Sequence, residues 1–380
     1  MNTFFAPLFS SLYRHVRGNI IDRVHANQAL GGRPHDLEEV VEIGDKKLKA
    51  LPRWTYAFPI PEGIGVQFHD LYFPSPLTLA AFKDDLSIID IWMHLGLGGA
   101  CVETVVKRAH EGNSRPRLQE VTVNGHKGLL NAMGLPCHGV ERKIREFEQS
   151  KVFSHSRPIG ISIGGSSLDE YQQVFDKVNN YMEERQERWH NTIITLAFLQ
   201  GIPIPNLPQI PYYLEINVSC PNTPEGQQMT KHPRLLEELV RYMRSKTKKV
   251  VGVKFSPDTS DKELIDFAEM LMSHENVYMN LGNTTKRSCE AVGLSSKDMS
   301  LGHGGLSGPA LYTRTKQMVE MVAPTDIAIC ATGGIDSAEK VLALQGIARE
   351  NDIPLIVGMA TAIVKDMYCI PRINRELAKK

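Results

Sequence analysis

The sequence predicts an α/β protein built as a (β/α)8, or TIM, barrel with an N-terminal helical extension. Three observations carry this: eight short apolar runs, helix-length stretches between them, and polar residues gathered just past the ends of the runs. The runs are 77–81, 99–105, 159–164, 213–219, 250–255, 277–281, 327–331 and 355–359. Each is β-branched or small in composition and bounded by Gly, Pro or Ser, as a strand buried on both faces should be. Between them, stretches such as 84–95, 168–187, 233–245, 261–273 and 337–349 are long enough for helices. Strand–helix alternation repeated eight times is the pattern of a closed parallel barrel. An open doubly wound sheet is the alternative, but no GxGxxG loop follows the first run. Residues 1–65 are expected to form the helical extension and 66–380 the barrel.

In the extension, Phe5, Leu8, Phe9, Leu12, Tyr13 and Val16 recur at three- and four-residue steps, so they are predicted to share one helix face, with Arg14 and Arg17 beside it. The run is shorter than the roughly 20 apolar residues that span a bilayer, and no cleavable signal pattern is present. The helix either packs on the rest of the protein or lies at a membrane surface. Two segments interrupt the barrel rhythm. Residues 112–139 are rich in Gly, Pro and Asn. Residues 188–211 hold Trp189, an apolar patch over 193–199 and a run of prolines, and read as an insertion before the fourth strand.

Bulk properties exclude some functions. Lys+Arg and Asp+Glu both number 43, so no basic excess argues for nucleic acid. The six cysteines form no CxxC pair, which argues against a zinc or iron–sulfur site, and their wide spacing suits a reducing compartment. The expected location is cytoplasmic, with peripheral contact at the inner face of a membrane if the N-terminal helix serves there.

In a (β/α)8 barrel the active site lies at the C-terminal ends of the strands. There the sequence has Thr104, Asn131-Ala-Met-Gly-Leu135, Asn217-Val-Ser-Cys-Pro-Asn222, Lys254, Asn283-Thr-Thr285, Thr332-Gly-Gly334 and Ala360-Thr361. Gly333 and Gly334, followed by a helix start, suit a phosphate; a plain tight turn is the other reading. Lys254 sits within an apolar run and needs an electron-rich partner if it points into the barrel mouth; pointing outward, it would snorkel. Cys220 is open to three roles: nucleophile, general base or buried filler. No histidine is near it in sequence, while Asn217 and Asn222 flank it and suit a neutral, amide-rich ring.

These motifs, with Gly112-Asn-Ser-Arg-Pro-Arg117 and Gly304-Gly-Leu-Ser-Gly308, occur in an order that resembles the dihydroorotate dehydrogenase family over roughly residues 63–380. The resemblance implies an FMN-dependent oxidoreductase acting on a CH–CH bond, turning dihydroorotate into orotate in de novo pyrimidine biosynthesis. By position, it makes Cys220 the catalytic base, as in class 1 enzymes, and sets Lys254 against the flavin ring. Ala80, Ala81, Thr104, Asn217, Gly308, Gly333, Gly334, Ala360 and Thr361 are implied to line FMN. Asn131, Met133, Gly134, Leu135, Asn217, Asn222, Asn283 and Thr284 are implied to hold the pyrimidine. The N-terminal extension is similar to that of the membrane-linked class 2 enzymes. Three departures stand out: Phe82 replaces a glycine, Ser162 replaces a class 2 asparagine, and Asp85 and Glu103 stand where the two classes place a substrate-binding lysine, with Lys83 out of register. Two acids there would repel an anionic substrate. An FMN oxidoreductase for another dihydropyrimidine or ene compound, or a non-catalytic flavin-binding barrel, therefore stays open. So do the electron acceptor (quinone, fumarate, or NAD through a partner) and a homodimeric state.

Overall fold

All eight apolar runs contain strands in the computed structural model of the chain, which describes residues 2–200, 207–218 and 232–379. The strands are β3 (Leu77–Leu79), β4 (Gly99–Val105), β7 (Ile159–Ile163), β8 (Tyr212–Asn217), β9 (Val251–Phe255), β10 (Val277–Leu281), β13 (Ala328–Thr332) and β14 (Leu355–Met359). They pair in parallel in chain order, and β14 closes onto β3. Two short strands, β1 (Val66–Phe68) and β2 (Leu71–Phe73), form an antiparallel hairpin ahead of the barrel. The helices are α1 (Asn2–Leu30), α2 (Glu38–Lys49), α3 (Leu86–His94), α4 (Val140–Gln149), α5 (Leu168–Gln200), α6 (Pro233–Lys246), α7 (Asp261–Met272), α8 (Tyr312–Val322), α9 (Ala338–Glu350), α10 (Thr361–Lys365) and α11 (Cys369–Leu377).

The strands are buried on both faces, which explains why they read as continuous apolar runs. Their outward residues, such as Val102, Ile161, Val253 and Ile329, join the helices in one large core. Their inward residues stack in layers. At the base, Phe68 and Phe73 of the hairpin pack edge-on or tilted against Tyr278 and Tyr213. Above them Glu215 is fully enclosed, accepting bonds from the Tyr278 hydroxyl at 2.9 Å and the Asn280 amide at 2.8 Å. That enclosure pushes the Tyr278 and Cys101 side chains well above their ordinary pKa, first by burial and then by the Glu215 charge.

Two segments differ from expectation. Residues 112–139 contain a hairpin, β5 (Leu118–Val123) and β6 (His126–Asn131), which joins β11 (Thr285–Ser288) and β12 (His303–Ser307) in a four-stranded antiparallel sheet. Polar residues mask the alternation in 118–123; the sheet buries only one face, around Val121, Leu130 and Leu306. Residues 188–200 are not a separate insertion but the continuation of α5, because nothing before Gly201 stops a helix. Trp189, Ile194, Leu196 and Leu199 are exposed along it.

The extension clamps over the barrel mouth. The apolar arc of α1 is wider than one contact face: Phe9 and Tyr13 pack on Tyr368, whereas Phe5, Leu8, Leu12 and Val16 remain exposed. Ser10 donates to Asp366 at 2.6 Å, and Arg17 pairs with Glu120 at 2.9 Å. On α2, Glu38 takes a two-pronged bond from Arg117, and Lys49 pairs with Asp85 at 2.5 Å. Among the described residues, no helix is long and apolar enough to cross a membrane.

Candidate active site

The inward residues of the uppermost layer open into a cavity of about 1840 Å³ that reaches from the barrel mouth up between α1 and α2. It is lined by Ala80, Ala81, Thr104, Asn131, Met133, Gly134, Leu135, Asn217, Lys254, Asn283, Thr284, Gly308, Gly333, Gly334, Ala360 and Thr361, which the sequence scatters over 282 positions. Cys220 and Asn222, with the rest of their loop, lie outside the described residues; Asn217, where that loop leaves β8, is on the cavity wall.

Strand chemistry sets each wall. On β4, Cys101 and Glu103 face inward by alternation, and a register shift between Val102 and Val105 turns Thr104 inward as well. The Thr104 hydroxyl accepts from the Asn217 amide at 2.8 Å and lies 3.0 Å from the Ser162 hydroxyl. Ser162, a departure from the family pattern in sequence, thus completes this buried network. The Asn217 carbonyl takes the Tyr171 hydroxyl at 2.8 Å, so the strand end is fixed from the α5 side too. Asn131 ends β6 and donates to Gly305 O at 3.2 Å, which ties the accessory sheet to the site. Gly305 is required there: a Cβ would fall 2.0 Å from the Thr284 hydroxyl. At the other side Gly333 and Gly334 have φ of 130° and 73°, and a Cβ on Gly334 would fall 2.4 Å from the backbone nitrogen of Tyr312. Tight packing by itself thus requires this glycine, and the turn leads into the Ser337-capped α9.

Lys254 points into the mouth, not outward. It is 4% exposed, and its ammonium has no hydrogen bond or ion pair among the described residues. A buried cation left so is costly unless a ligand completes it. An electron-rich planar ring satisfies that need, and the amide and hydroxyl groups of Asn131, Asn217, Asn283 and Thr284 add donors and acceptors around it. The residues present fit a flavin beside a heterocyclic substrate.

The two acids expected to repel an anion behave differently. Asp85 turns away: its carboxylate caps α3 through the backbone N–H groups of Ser87 and Ile88 and pairs with Lys49, so it does not line the cavity. Those bonds hold its pKa below the ordinary value despite the opposing effect of burial. Glu103 does face the cavity. Burial, with Asp84 next, pushes its carboxyl up to about 8, although Lys143, Lys83 and Lys254 pull the other way. Lys83 bonds to Asp45 of α2, and Phe82 stacks on Trp92 at 5.8 Å. The channel above is walled by Ile20, Ile21, Val40, Val41 and Gly44. Sequence periodicity identifies α1 as amphipathic but gives no sign of α2 as its opposite wall, because most residues of α2 are charged.

Fold and site together define a barrel oxidoreductase with a flavin-type mouth and an apolar approach. Residues 64–184 and 204–380 match the family model described as dihydroorotate dehydrogenase, and the chain belongs to that family. The family consists of flavoproteins that oxidise dihydroorotate at a CH–CH bond in pyrimidine biosynthesis. The chain is 29% identical over 302 residues to a dihydroorotate dehydrogenase (quinone) of Brucella ovis, covering 76% of this chain and 74% of the relative. It is 28% identical over 325 residues to the protein of that name from Photorhabdus laumondii, covering 80% and 85%. Ligand-free DHODH from Eimeria tenella shares the fold with a TM-score of 0.68 and 20% identity, over 90% of this chain and 93% of that one.

Proposed function

We propose that this chain oxidises dihydroorotate to orotate with FMN as cofactor, Cys220 as base and a quinone as electron acceptor. One observation carries the reading: a buried Lys254, with no bond among the described residues, faces the asparagine set in a cavity that continues into an apolar channel between α1 and α2. Bound there, the flavin supplies a two-electron acceptor for the substrate's hydride. Lys254, Ala80, Ala81, Thr104, Asn217 and Gly308 hold it at the strand ends, and the loops at Gly333, Gly334, Ala360 and Thr361 take its phosphate. Asn131, Asn217, Asn222, Asn283 and Thr284 orient the pyrimidine through its amide edges, beside the 133–135 loop.

The chemistry breaks two neighbouring C–H bonds. One hydrogen leaves as hydride; the other leaves as a proton to the Cys220 thiolate, and the remaining electron pair forms the C=C bond of orotate. Thiolate is suited to this, because a modest lowering brings cysteine near working pH. Gln28 of α1 donates to Glu39 of α2 and to the carbonyl of Asp36 in the turn between them, and so fastens α1 to α2. The channel between these helices suits an apolar molecule. The exposed Phe5, Leu8, Leu12 and Val16 on α1 suit contact with the membrane in which a quinone resides.

Anaerobic stopped-flow mixing with dihydroorotate tests the reading: the flavin should bleach, and a short-chain quinone should restore its colour faster than fumarate or NAD. Cys220→Ala should keep the flavin but slow its reduction by about 10²–10⁴, the usual range for a general base. No bleaching at saturating substrate refutes the activity; parent-rate bleaching in the variant refutes the base.

A further inference from the structure

Glu103 is the one acid on the barrel strands that enters the upper cavity layer among the described residues, and its carboxyl has no hydrogen bond or ion pair among them. The four charged groups around it come from three parts of the chain. Lys83 and Asp84 belong to the loop after β3, Lys143 to α4 and Lys254 to β9. Lys83 is engaged by Asp45 from α2, and Lys143 donates to Asp84 O at 3.2 Å and pairs with Glu146 at 2.7 Å. Three lysines thus surround one carboxyl, and two of them already have partners. Of these three, only Lys254 has no partner among the described residues, so an anionic substituent of a ligand held beside it meets Glu103. A neutral carboxyl donates a hydrogen bond to such a group, whereas an ionised one repels it.

We propose that Glu103 determines specificity at this site: it meets the carboxylate that distinguishes dihydroorotate and orotate from unsubstituted pyrimidines, binding it as a neutral acid and rejecting it as an anion. The inference rests on the flavin and pyrimidine reading above. Its consequence is a site whose preference between anionic and uncharged rings changes with pH. With the carboxyl held at about 8 by burial, affinity for the anion is full at pH 7 and falls as pH rises past 8.

Dissociation constants for orotate and for uracil, read from the shift of flavin absorbance between pH 6 and 9, test this. The flavin-loaded enzyme carries Cys220→Ala, so that the thiol's own ionisation does not contribute. The orotate constant should rise about tenfold from pH 7 to pH 9, as for a single ionisation near 8, while that of uracil stays within twofold. Adding Glu103→Gln, which keeps a donor but cannot ionise, should flatten the orotate profile. Glu103→Ala should flatten it too, at weaker binding. A flat orotate profile in the Glu103 enzyme, or an unchanged one with Gln, overturns the proposal alone, provided dihydroorotate still bleaches the Cys220 enzyme. If neither ring binds and nothing bleaches, the underlying reading falls and this one with it.

Discussion

Replacing Glu103 by glutamine should make the protein more stable, and increasingly so with pH. The carboxyl's value in the fold is about 8 against an ordinary 4.5. For an acid raised in this way, the stability it contributes is fully present below pH 4.5 and is lost as pH rises through about 8. Each pKa unit is about 1.36 kcal/mol, so the fold forgoes about 3 kcal/mol at pH 7 and about 5 kcal/mol above pH 8. Water in the cavity screens part of this, and the new amide lacks a partner at a cost of about 1 kcal/mol. The expected gain is therefore about 2 kcal/mol at pH 8 and close to nothing at pH 5. Urea unfolding of the flavin-loaded parent and variant at both pH values measures it from the midpoint shift at a common slope. A variant less stable than the parent at pH 8, or a gain equal at both pH values, would refute the reasoning. A stabilising change at a residue assigned to substrate recognition is the trade-off expected where function holds a group in an unfavourable state.

Two other perturbations follow from the geometry. Gly44 lines the channel, and a Cβ at this position would meet no heavy atom within 4 Å, so Gly44→Trp should fill the passage without disturbing α2; quinone reoxidation should slow about tenfold, equivalent to about 1.4 kcal/mol of lost access, while flavin reduction by dihydroorotate keeps its rate. Equal slowing of both half-reactions would place the acceptor elsewhere. Glu215→Ala should lower stability by about 3 kcal/mol, because the Tyr278 hydroxyl and the Asn280 amide lose a buried acceptor; a urea midpoint unchanged from the parent would show that the interior rearranges to satisfy them.

How much of this is legible in the sequence varies with the physics of each part. Barrel strands are buried on both faces, so their composition alone marks them, and helices such as α6, α7 and α9 start at a local signal: Pro233, Ser260 and Ser337 respectively. The accessory sheet is not legible. Its strands are half-buried and polar, and the pairing that joins its two halves, β12 with β6, links residues more than 170 positions apart. The sequence also hides the end of α5, because its last turns are apolar without packing on the barrel, so neither periodicity nor amphipathicity marks them.

The sequence by itself determined the barrel, the strand ends that carry polar residues and the family to which the chain belongs, since each depends on local composition or ordered motifs. Only the tertiary structure decided the rest. It turned Asp85 onto a helix N-terminus and Lys49, left Glu103 facing the cavity, gave Lys83 to Asp45 and left Lys254 with no bond among the described residues. Residue type gives a side chain its chemistry, but its ionisation and its partner depend on burial and on neighbours brought from distant parts of the chain. The acids at 85 and 103 are two strand-end carboxylates in the sequence; in the fold one is a helix cap, and the other faces the cavity with its pKa raised by burial.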